Sequence, residues 1–592
     1  MSSIAAVVAN QRPGTGEVAL MLSAAPHRGK IAELLTWGRV SLGCSRLEGE
    51  DATPAAVGSY GRFAALVIGD LDNIGSFQRH VSNPSRDPND AEILAAAFEP
   101  LGEQVVPQLR GAFAAVVTDG SQVWCFRDQL GLEPLFYSEQ PSGIYIASEA
   151  KQVVAGAGIA SEPDIEVLER IFYDQLEEDD RCSLAGVRRL HKAILLHIEG
   201  TRMRFRRYWD PEDLLETARL SPEEVGERFD SVMERAVARV LRGNDALFLS
   251  GGIDSPAVAA YAAPLHEAMT GGKPLTAISA TFPELPAVDE SGYVRVVTES
   301  LGLPLHTYVP NAGGLDDLQT WVHLMDGPAP PLSAPEAAES HVIAAGLGFR
   351  RLLSGELAEF PAALQRHVLP YLVRRRPKSA LRLLRQRHGD GMSATALTRD
   401  VVKAFVPLSA MRFYRRVHPL VPQSGPGWID AKRLSANFAP RVRPADRWRE
   451  EQISAFKGGT GVTMDACSML EAAGGVRMRR PWADVDLWEF FLSLPAEIKF
   501  PGPRPKSLVV NLLRGRVPDP ILDRRDKTFF DDFSMAHIDY SALNKWLVGP
   551  DVRISGVDYS LLADRLDRGD LTIGEYMWAR DLAGVHAFLA LW

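Results

Sequence analysis

One segment constrains the fold of this chain more than any other: residues 245–261, which read DALFLSGGIDSPAVAAY. An apolar run ends at Leu249, a glycine pair and an acid follow, and a helical pattern begins at Pro256. A strand that passes through a tight turn into a helix is the repeating unit of parallel α/β sheets. Ligands bind at the carboxyl ends of such strands, where the helix N-terminus offers N–H groups and a positive dipole end. The segment therefore predicts a parallel sheet with an anion-binding loop.

The remainder of the chain shows two patterns of predicted secondary structure. The segments PLTAISATF, PLHTYVP and RRLLSGE are predicted strands that alternate with helical patterns, and Ser221 with Glu224 predicts the capped start of a long helix. Earlier in the chain, β-branched and aromatic runs such as ALVIGDL and GIYIASEAK are broken by Gly, Asp and Asn, which predicts two sheets. A chain of 592 residues is too long for one ordinary core. We therefore predict an α/β protein of two domains, residues 1–210 and 211–592.

The charge of the chain is unevenly distributed. A net charge of −10 argues against general nucleic-acid binding, yet residues 361–450 hold 19 Lys and Arg against 5 Asp and Glu. We interpret residues about 361–460 as a basic helical insertion, which either binds an anionic partner or forms a solvated surface. No apolar run approaches the roughly 18 residues of a membrane span. The N-terminus also lacks the basic lead of a signal peptide, so we expect a cytoplasmic protein without membrane or nucleic-acid partners.

The four cysteines predict buried thiols in a reducing compartment, because they are scattered and lack the spacing of metal ligands. They are Cys44, Cys125, Cys182 and Cys467.

The loop at residues 250–255 predicts phosphate binding of a particular kind. Its two glycines allow the backbone to close around an anion, and the hydroxyls of Ser250 and Ser255 can add donors. A Walker A loop needs Lys followed by Ser or Thr after its second glycine, whereas Ile253 and Asp254 follow Gly252 in this loop. The nearest lookalike, TGGKPL at residues 270–275, has Pro after Lys273. A different phosphate loop is therefore expected.

The order Ser-Gly-Gly-x-Asp-Ser resembles the pyrophosphate loop of ATP pyrophosphatases, the family that includes the nucleotide domain of asparagine synthetases. The resemblance implies that ATP is cleaved between its α and β phosphates, that an acyl-adenylate forms, and that the loop holds the departing pyrophosphate. It also implies a set of nucleotide-binding residues. They are Leu249, Ser250, Gly251, Gly252, Asp254, Ser255, Ser279, Ser354 and Gly355.

A second segment, LLSGELAEF at residues 352–360, resembles the Ser-Gly-Glu-Gly-Ala-Asp-Glu stretch of the same family. It departs from that pattern at Leu357, where the family has Gly, at Glu359, where the family has Asp, and at Phe360. The resemblance implies that Asp254 and Glu359 hold Mg²⁺ on the phosphates of ATP, although a surface acid is the alternative for Glu359. Glu356 is a candidate base for an attacking ammonium or, equally, a structural residue.

Two further segments extend the resemblance. GGVRMRRPWADVDLWEFFLSLP, at residues 474–495, matches a family segment in which most residues are expected to be structural, with Asp484 as a helix cap. PKSLVVNLLRGRVPDPILDRRDKTFF resembles the region that ends in a lysine-bearing loop. There Lys527 falls on the catalytic lysine of the family. Lys506 opens the preceding helix and either approaches the same phosphates or is an exposed helix lysine.

The first 210 residues contain, in this order, the segments HRG at His27–Gly29, LGCSRL at Leu42–Leu47, LRGAFAAVV, RDQLGLEPLFY and ASEAK. In these segments and their order, residues 1–210 resemble the glutaminase domain of glutamine-dependent asparagine synthetases, an Ntn-hydrolase-like sandwich. The family uses a cysteine after Met to release ammonia from glutamine, and this chain has Ser2, which in principle can also act as a nucleophile. The Asn-Gly-Glu of the family reads Ile68, Gly69 and Asp70, so the asparagine expected at the oxyanion site is absent. Arg46 and Asp90 persist at positions that match glutamine contacts. We expect a glutaminase-type domain without activity.

An enzyme without an ammonia source must take its amine from elsewhere. Two branches of the family take it from the substrate itself: β-lactam synthetases and the macrolactam-forming lasso peptide cyclases. The basic insertion, with leucines interleaved among arginines, suits a peptide or partner protein and makes the chain resemble a lasso peptide cyclase. The resemblance implies ATP and Mg²⁺, a linear core peptide as substrate, and a leader-peptide protease or recognition protein as a further partner. A β-lactam synthetase-like or asparagine synthetase-like ligase on a small substrate, and a non-catalytic biosynthetic scaffold, are the alternatives. The leucines are Leu369, Leu372, Leu381, Leu383 and Leu384.

Overall fold

The computed structural model describes residues 2–10, 14–47, 55–82, 87–175, 180–311, 317–328, 334–359, 367–389, 392–418, 425–436, 440–457, 460–500, 506–525, 528 and 530–592. Within them the strands form three sheets, two antiparallel and one parallel. None of the described helices has the length and apolarity that a membrane span requires.

The N-terminal part is a sandwich of two antiparallel sheets, with strand orders β10-β8-β9-β1-β3-β2 and β12-β11-β7-β6-β5-β4. Alternate residues of β1 face opposite ways, so Ile4 and Ala6 pack between the sheets while Ala5 and Val7 pack beneath helices α1 and α3. The strands are β1 Ser3–Ala9, β2 Lys30–Trp37, β3 Val40–Arg46, β4 Ala55–Tyr60, β5 Phe63–Leu71, β6 Gly111–Thr118, β7 Gln122–Arg127, β8 Phe136–Gln140, β9 Gly143–Ala147, β10 Arg188–Arg189, β11 Ile194–Glu199 and β12 Arg202–Arg207. The helices are α1 Thr15–Ser23, α2 Asp90–Leu101, α3 Ala150–Ala157 and α4 Ile165–Phe172. The two predicted sheets are confirmed.

The C-terminal part is built on a parallel sheet of order β15-β14-β13-β16-β17. Ser221 caps α5 in a capping box with Glu224, as predicted. The chain runs outward from β13 to β15 and then returns to β16, so the order reverses between β13 and β16, which is where such sheets bind ligands. The elements are α5 Pro222–Val240, β13 Asp245–Phe248, α6 Asp254–Thr270, β14 Thr276–Ala280, α7 Ser291–Leu301, β15 Leu305–Tyr308, α8 Leu318–Leu324, α9 Ala334–Gly346, β16 Arg351–Leu353 and β17 Arg477–Arg479.

Helices make up most of the remaining described chain. Helices α22 and α24 pack against the N-terminal sandwich, where Leu543 and Leu582 share one core with Leu22 and Tyr145. The helices are α10 Val368–Arg375, α11 Pro377–Gly389, α12 Ala394–Lys403, α13 Leu408–Val417, α14 Ala431–Ala436, α15 Arg447–Lys457, α16 Thr460–Gly474, α17 Val485–Ser493, α18 Ala496–Lys499, α19 Ser507–Leu512, α20 Asp519–Leu522, α21 Asp531–Ala536, α22 Tyr540–Leu547, α23 Tyr559–Arg568 and α24 Ile573–Leu589.

The described residues of the insertion are mostly helical, but its leucines do not form the expected surface. Leu369, Leu372 and Leu383 are buried in a small core with Trp448. That core sequesters apolar area that the short helices α10 and α11 cannot bury alone. Leu384 packs against the same core, whereas Leu381 is 49% exposed.

Three of the four cysteines are buried thiols, as predicted, and the fourth, Cys467, is partly exposed. Burial raises the pKa of the Cys44 thiol to about 11 and that of the Cys182 and Cys467 thiols to about 12. These thiols therefore stay protonated and unreactive at neutral pH.

Candidate active site

The loops that follow β13 and β16 meet at Gly355. A Cβ atom at Gly355 would lie 2.4 Å from the backbone nitrogen of Ser255 and 2.7 Å from the carbonyl carbon of Asp254. Only glycine permits this approach. The two predicted nucleotide segments therefore form one site at the point where the strand order reverses.

Hydrogen bonds within the first loop shape it around its backbone amides. The N–H of Ser250 donates to the Ser255 hydroxyl over 2.9 Å, and the two hydroxyls lie 3.0 Å apart. The N–H of Gly252 donates weakly to the Ser250 hydroxyl over 3.4 Å. The N–H of Gly251 donates to Oε2 of Glu290 over 2.9 Å, so a carboxylate already accepts from this amide. That contact fits an anion-binding loop, because a phosphate oxygen would use the same donor.

Arg524 is a cation at this loop that the sequence reasoning missed. Its guanidinium donates to the carbonyl of Gly251 over 2.9 Å and to Glu290 over 2.7 Å, and it stacks over the ring of Tyr293 at 4.2 Å. The only signal for it in the sequence was its place three residues before Lys527. Lys527 itself lies outside the described residues.

Asp254 and Lys506, predicted separately as a metal ligand and a phosphate contact, form an ion pair. Asp254 is the first residue of α6, and its carbonyl accepts from the indole of Trp482 over 3.1 Å. Lys506 caps α19 with a left-handed backbone, φ 56°, and its ammonium contacts the Asp254 carboxylate. The structure therefore excludes the exposed-lysine alternative for Lys506, because this ammonium is mostly buried against an acid.

Glu356 is paired with Arg480, which the sequence analysis did not single out. Arg480 Nε donates to Glu356 Oε2 over 2.6 Å, and Arg480 Nη2 donates to Glu471 over 2.8 Å. Arg480 is 8% exposed and Glu356 is 48% exposed. Burial opposes the charge of Arg480, but Glu471 and Glu356 hold its pKa above the ordinary value. A fixed cation thus holds a carboxylate that is half open to solvent.

Leu357 departs from the family glycine and yet keeps a conformation that favours glycine. Its φ is 69°, and its side chain is buried in a cluster with Trp488 and Phe456. The left-handed backbone costs about 1 kcal/mol in a residue with a side chain, and burial of the leucine offsets that cost. Glu359, two residues later, is exposed.

The remaining predicted nucleotide-binding residues, Leu249, Ser279 and Ser354, each form a hydrogen bond with a backbone group elsewhere in the chain. Leu249 is buried and donates its N–H to the carbonyl of Ile278 over 2.9 Å. Ser279, near the end of β14, is buried and its hydroxyl donates to the carbonyl of Ala280 over 3.3 Å. Ser354 is buried, and its hydroxyl accepts from the N–H of Glu356 over 3.3 Å.

The described residues contain no cluster of three or more His, Cys, Asp or Glu side chains that could hold a metal. Asp254 nevertheless supplies carboxylate oxygens beside the predicted phosphate loop, and Mg²⁺ on a nucleotide commonly takes only one or two protein carboxylates. The donor set therefore fits Mg²⁺ that is carried on ATP.

In the N-terminal sandwich, the positions that match glutamine contacts are engaged by the protein itself. Arg46 donates to Glu33 over 2.7 Å and to the carbonyl of Ala55 over 2.8 Å. Ile68 is buried between the sheets. Ser2 is fully buried, and its carbonyl accepts from Arg28 over 3.0 Å. Burial and the neighbouring Asp70 raise the pKa of Asp90 to about 6.

Comparison with known proteins matches both parts of the chain. Residues 228–553 match the family described as asparagine synthase, and residues 1–209 match the glutamine amidotransferase domain. The glutamine-hydrolyzing asparagine synthetase 3 of Bacillus subtilis is 24% identical over 472 residues, 74% of this chain and 70% of that protein. Asparagine synthetase 2 of the same organism is 25% identical over 47% of this chain and 38% of its own length. The amidase chyE of Penicillium rubens is 29% identical over 37% of this chain and 34% of its own length.

Proposed function

The chain belongs to the asparagine synthase family, and on that premise we propose that it is a lasso peptide cyclase, which closes a macrolactam within one peptide. It is an ATP-dependent amide-forming ligase that releases AMP and pyrophosphate. In the proposed reaction an Asp or Glu side chain of a linear core peptide attacks the α phosphorus of ATP, and pyrophosphate leaves. The N-terminal amine of the same peptide then attacks the acyl-adenylate, and AMP leaves.

The observation that carries this proposal is the ion pairing of Asp70 with arginines of the C-terminal part. It stands at the acid of the Asn-Gly-Glu motif, where the glutaminase branch would bind its substrate, and here its carboxylate contacts Arg477 and Arg479. With Ile68 buried beside it and Arg46 held by Glu33, the sandwich offers glutamine none of these three side chains. An amine within the substrate is then the simplest nitrogen source.

The residues at the site suit the two steps. The amides of the loop and the N-terminus of α6 favour negative charge, so they would hold the departing pyrophosphate. Arg524 donates to the carbonyl of Gly251 in that loop, and Lys506 places a cation beside Asp254. A bound Mg²⁺ would neutralise phosphate charge beside Asp254. Lys527 is proposed from the family resemblance to meet the charge that develops on the phosphates.

Glu356 is the proposed acceptor for the proton of the attacking ammonium. Arg480 keeps its carboxylate in one orientation, and about half of the side chain stays accessible. A base must reach the proton that it removes, and a carboxylate that is 48% exposed meets that requirement. Orienting the peptide amine beside the adenylate would be the larger contribution, worth roughly 7 to 11 kcal/mol of barrier.

The basic helices of the insertion are the proposed binding surface for the peptide, with a leader-peptide protease or recognition protein as a further partner. An asparagine synthetase-like ligase on a small substrate is the second candidate, favoured by the relatives of that name over 74% of this chain.

One assay separates these functions. The protein is incubated with ATP and Mg²⁺ and either a linear peptide with a free N-terminus and an internal Asp or Glu, or aspartate with ammonia. Pyrophosphate with a peptide product lighter by one water is the expected result. Pyrophosphate with aspartate alone would replace the cyclase by the small-substrate ligase, and no pyrophosphate with any carboxylate would overturn both.

A further inference from the structure

A buried network of charges joins the N-terminal sandwich to the edge of the parallel sheet. Asp70 lies near the end of β5 and Asp72 directly follows that strand, whereas Arg477 and Arg479 lie on β17. Arg477 Nη1 lies 2.9 Å from Asp70 Oδ2, Arg479 Nη2 lies 2.6 Å from Asp72 Oδ1, and Arg479 also contacts Asp70. Arg479 is 3% exposed and Asp72 is 6% exposed. Solvent therefore screens these pairs little.

The charges of this network depend on one another. Burial opposes ionisation of Asp70, but Arg479 and Arg477 outweigh it and hold the pKa of Asp70 below its ordinary value. Burial likewise opposes the charge of Arg479, and Asp70 with Asp72 holds its pKa above the ordinary value. Asp72 contacts Arg242 as well as Arg479, with Arg242 Nη2 at 3.1 Å from Asp72 Oδ1. Removal of one carboxylate would leave a buried guanidinium with fewer partners.

The strand that carries these arginines also fixes the second nucleotide loop. The carbonyl of Arg479 accepts from the N–H of Ser354 over 2.9 Å, at the point where β16 ends and the loop at residues 354–359 begins. The next residue, Arg480, holds Glu356. In the described sheet, β17 pairs only with β16 and is three residues long, so few ladder hydrogen bonds hold it in place.

We propose that Asp70 and Asp72 are positioning residues for the ligase site, acting through Arg479 on Ser354 and through the adjoining Arg480 on Glu356. The acid that would serve glutamine in a working glutaminase thereby serves the nucleotide domain, which gives a role to a sandwich that we expect to be inactive. The consequence for catalysis rests on the proposed function, whereas the ordering of the loop does not.

The chain offers a matched control at the same interface. Arg110 of the sandwich donates to Asp486 of α17 over 2.8 Å, and Asp486 keeps Arg239 as a second partner at 2.7 Å. Arg110→Gln therefore removes one ion pair between the two parts without leaving a carboxylate alone, and it does not touch β17.

The test is hydrogen exchange of the full chain, read by mass spectrometry on peptides that cover residues 351–359. Asp72→Asn and Asp70→Asn are compared with Arg110→Gln and with wild type, and the melting temperature of each variant is recorded. We expect exchange in this segment to rise by about tenfold in the Asp variants and to stay at the wild-type rate in Arg110→Gln. Asp72→Asn keeps the contacts of Asp70 and remains informative if Asp70→Asn does not fold.

Unchanged exchange at residues 351–359 in a folded Asp72→Asn variant would overturn the proposal, as would equal acceleration in Arg110→Gln. A parallel assay of pyrophosphate release with ATP, Mg²⁺ and a linear peptide that has a free N-terminus and an internal Asp or Glu separates the two hypotheses. If hydrogen exchange at residues 351–359 is faster in the Asp variants but the wild type releases no pyrophosphate, only the proposed function is contradicted. If that exchange stays at the wild-type rate and the wild type is active, only the positioning role is contradicted.

Discussion

The ammonium of Lys506 lies 2.5 Å from each carboxylate oxygen of Asp254. The predicted metal ligand is therefore neutralised by the predicted phosphate contact before any nucleotide binds. A divalent cation must share or displace this lysine to reach the carboxylate, and a phosphate would in turn attract the ammonium. In the absence of nucleotide and metal, the positive charge of Lys506 therefore cancels the negative charge of Asp254.

Lys506→Met should separate these two effects. Without the competing ammonium, the Mg²⁺ concentration for half-maximal pyrophosphate release should fall, while kcat falls because one phosphate contact is lost; about tenfold is expected for kcat. A magnesium titration at fixed ATP measures both. Lys545→Met, at a lysine that lies over Trp546, is the control. A higher magnesium requirement in Lys506→Met would contradict the competition.

Glu356→Gln should distinguish a base from a structural residue. A base for the attacking ammonium acts only in the second step, so exchange of labelled pyrophosphate into ATP should persist while amide formation falls by about 100-fold or more. Arg480→Gln should shift amide formation the same way, and should also destabilise the fold by about 3 kcal/mol because Glu471 loses its buried partner. Equal loss of both partial reactions in Glu356→Gln would favour the structural role.

At position 357 a glycine substitution should leave the protein more stable than an alanine substitution, which is the reverse of the usual order. Both Leu357→Ala and Leu357→Gly lose the buried side chain beside Trp488, at a cost of about 2 to 5 kcal/mol. Glycine adopts the positive φ of this position without strain, so Leu357→Gly should be more stable than Leu357→Ala by about 1 kcal/mol. Urea unfolding curves give the difference. A less stable glycine variant would show that this backbone is not left-handed.

The free energy of unfolding should increase as pH rises above neutrality, because buried Lys499 loses its proton more readily in the folded than in the unfolded protein. Burial lowers the pKa of Lys499 to about 7, whereas an unfolded lysine stays protonated to about pH 10. Unfolding therefore takes up a proton between these values, and stability rises with pH across this window. Burial, together with Arg127, lowers the pKa of Lys192 to about 7 as well. Lys499→Met should be more stable than wild type at pH 7 and should lose about half of the slope between pH 7 and 9 in chemical unfolding.

Ser2→Cys should not restore a glutaminase. The thiol would replace a fully buried hydroxyl, while Arg46 stays bonded to Glu33 and Asp70 stays bonded to Arg477. Glutamate release from glutamine should remain at the background of the Ser2→Ala variant, also when Ile68→Asn is added. Hydrolysis by Ser2→Cys alone would show that the sandwich keeps a working glutamine pocket.

Local patterns of the sequence were enough to locate the helix starts that surround the candidate site. The capping box of Ser221, the helix that begins beside Asp254 and the cap at Asp484 all depend on residues a few positions apart, so their chemistry is visible in one dimension. The leucines of the insertion were misread because periodicity finds an apolar face but does not say what covers it. Arg524 and Arg480 were missed because an arginine beside other arginines carries no signal of its own.

The sequence by itself determined the fold class, the alternation of strands and helices in the C-terminal part, and the glycine loop between β13 and α6, because hydrophobic period, glycine placement and capping are local properties of the chain. The tertiary structure decided which charges meet. Asp70 is 407 positions from Arg477, and Asp254 is 252 positions from Lys506. Such pairs form only when the fold brings distant strands and loops together, and burial makes each depend on its neighbours. That is why the sequence could name candidate acids and cations, but only the folded chain could show that Asp70 faces the nucleotide domain.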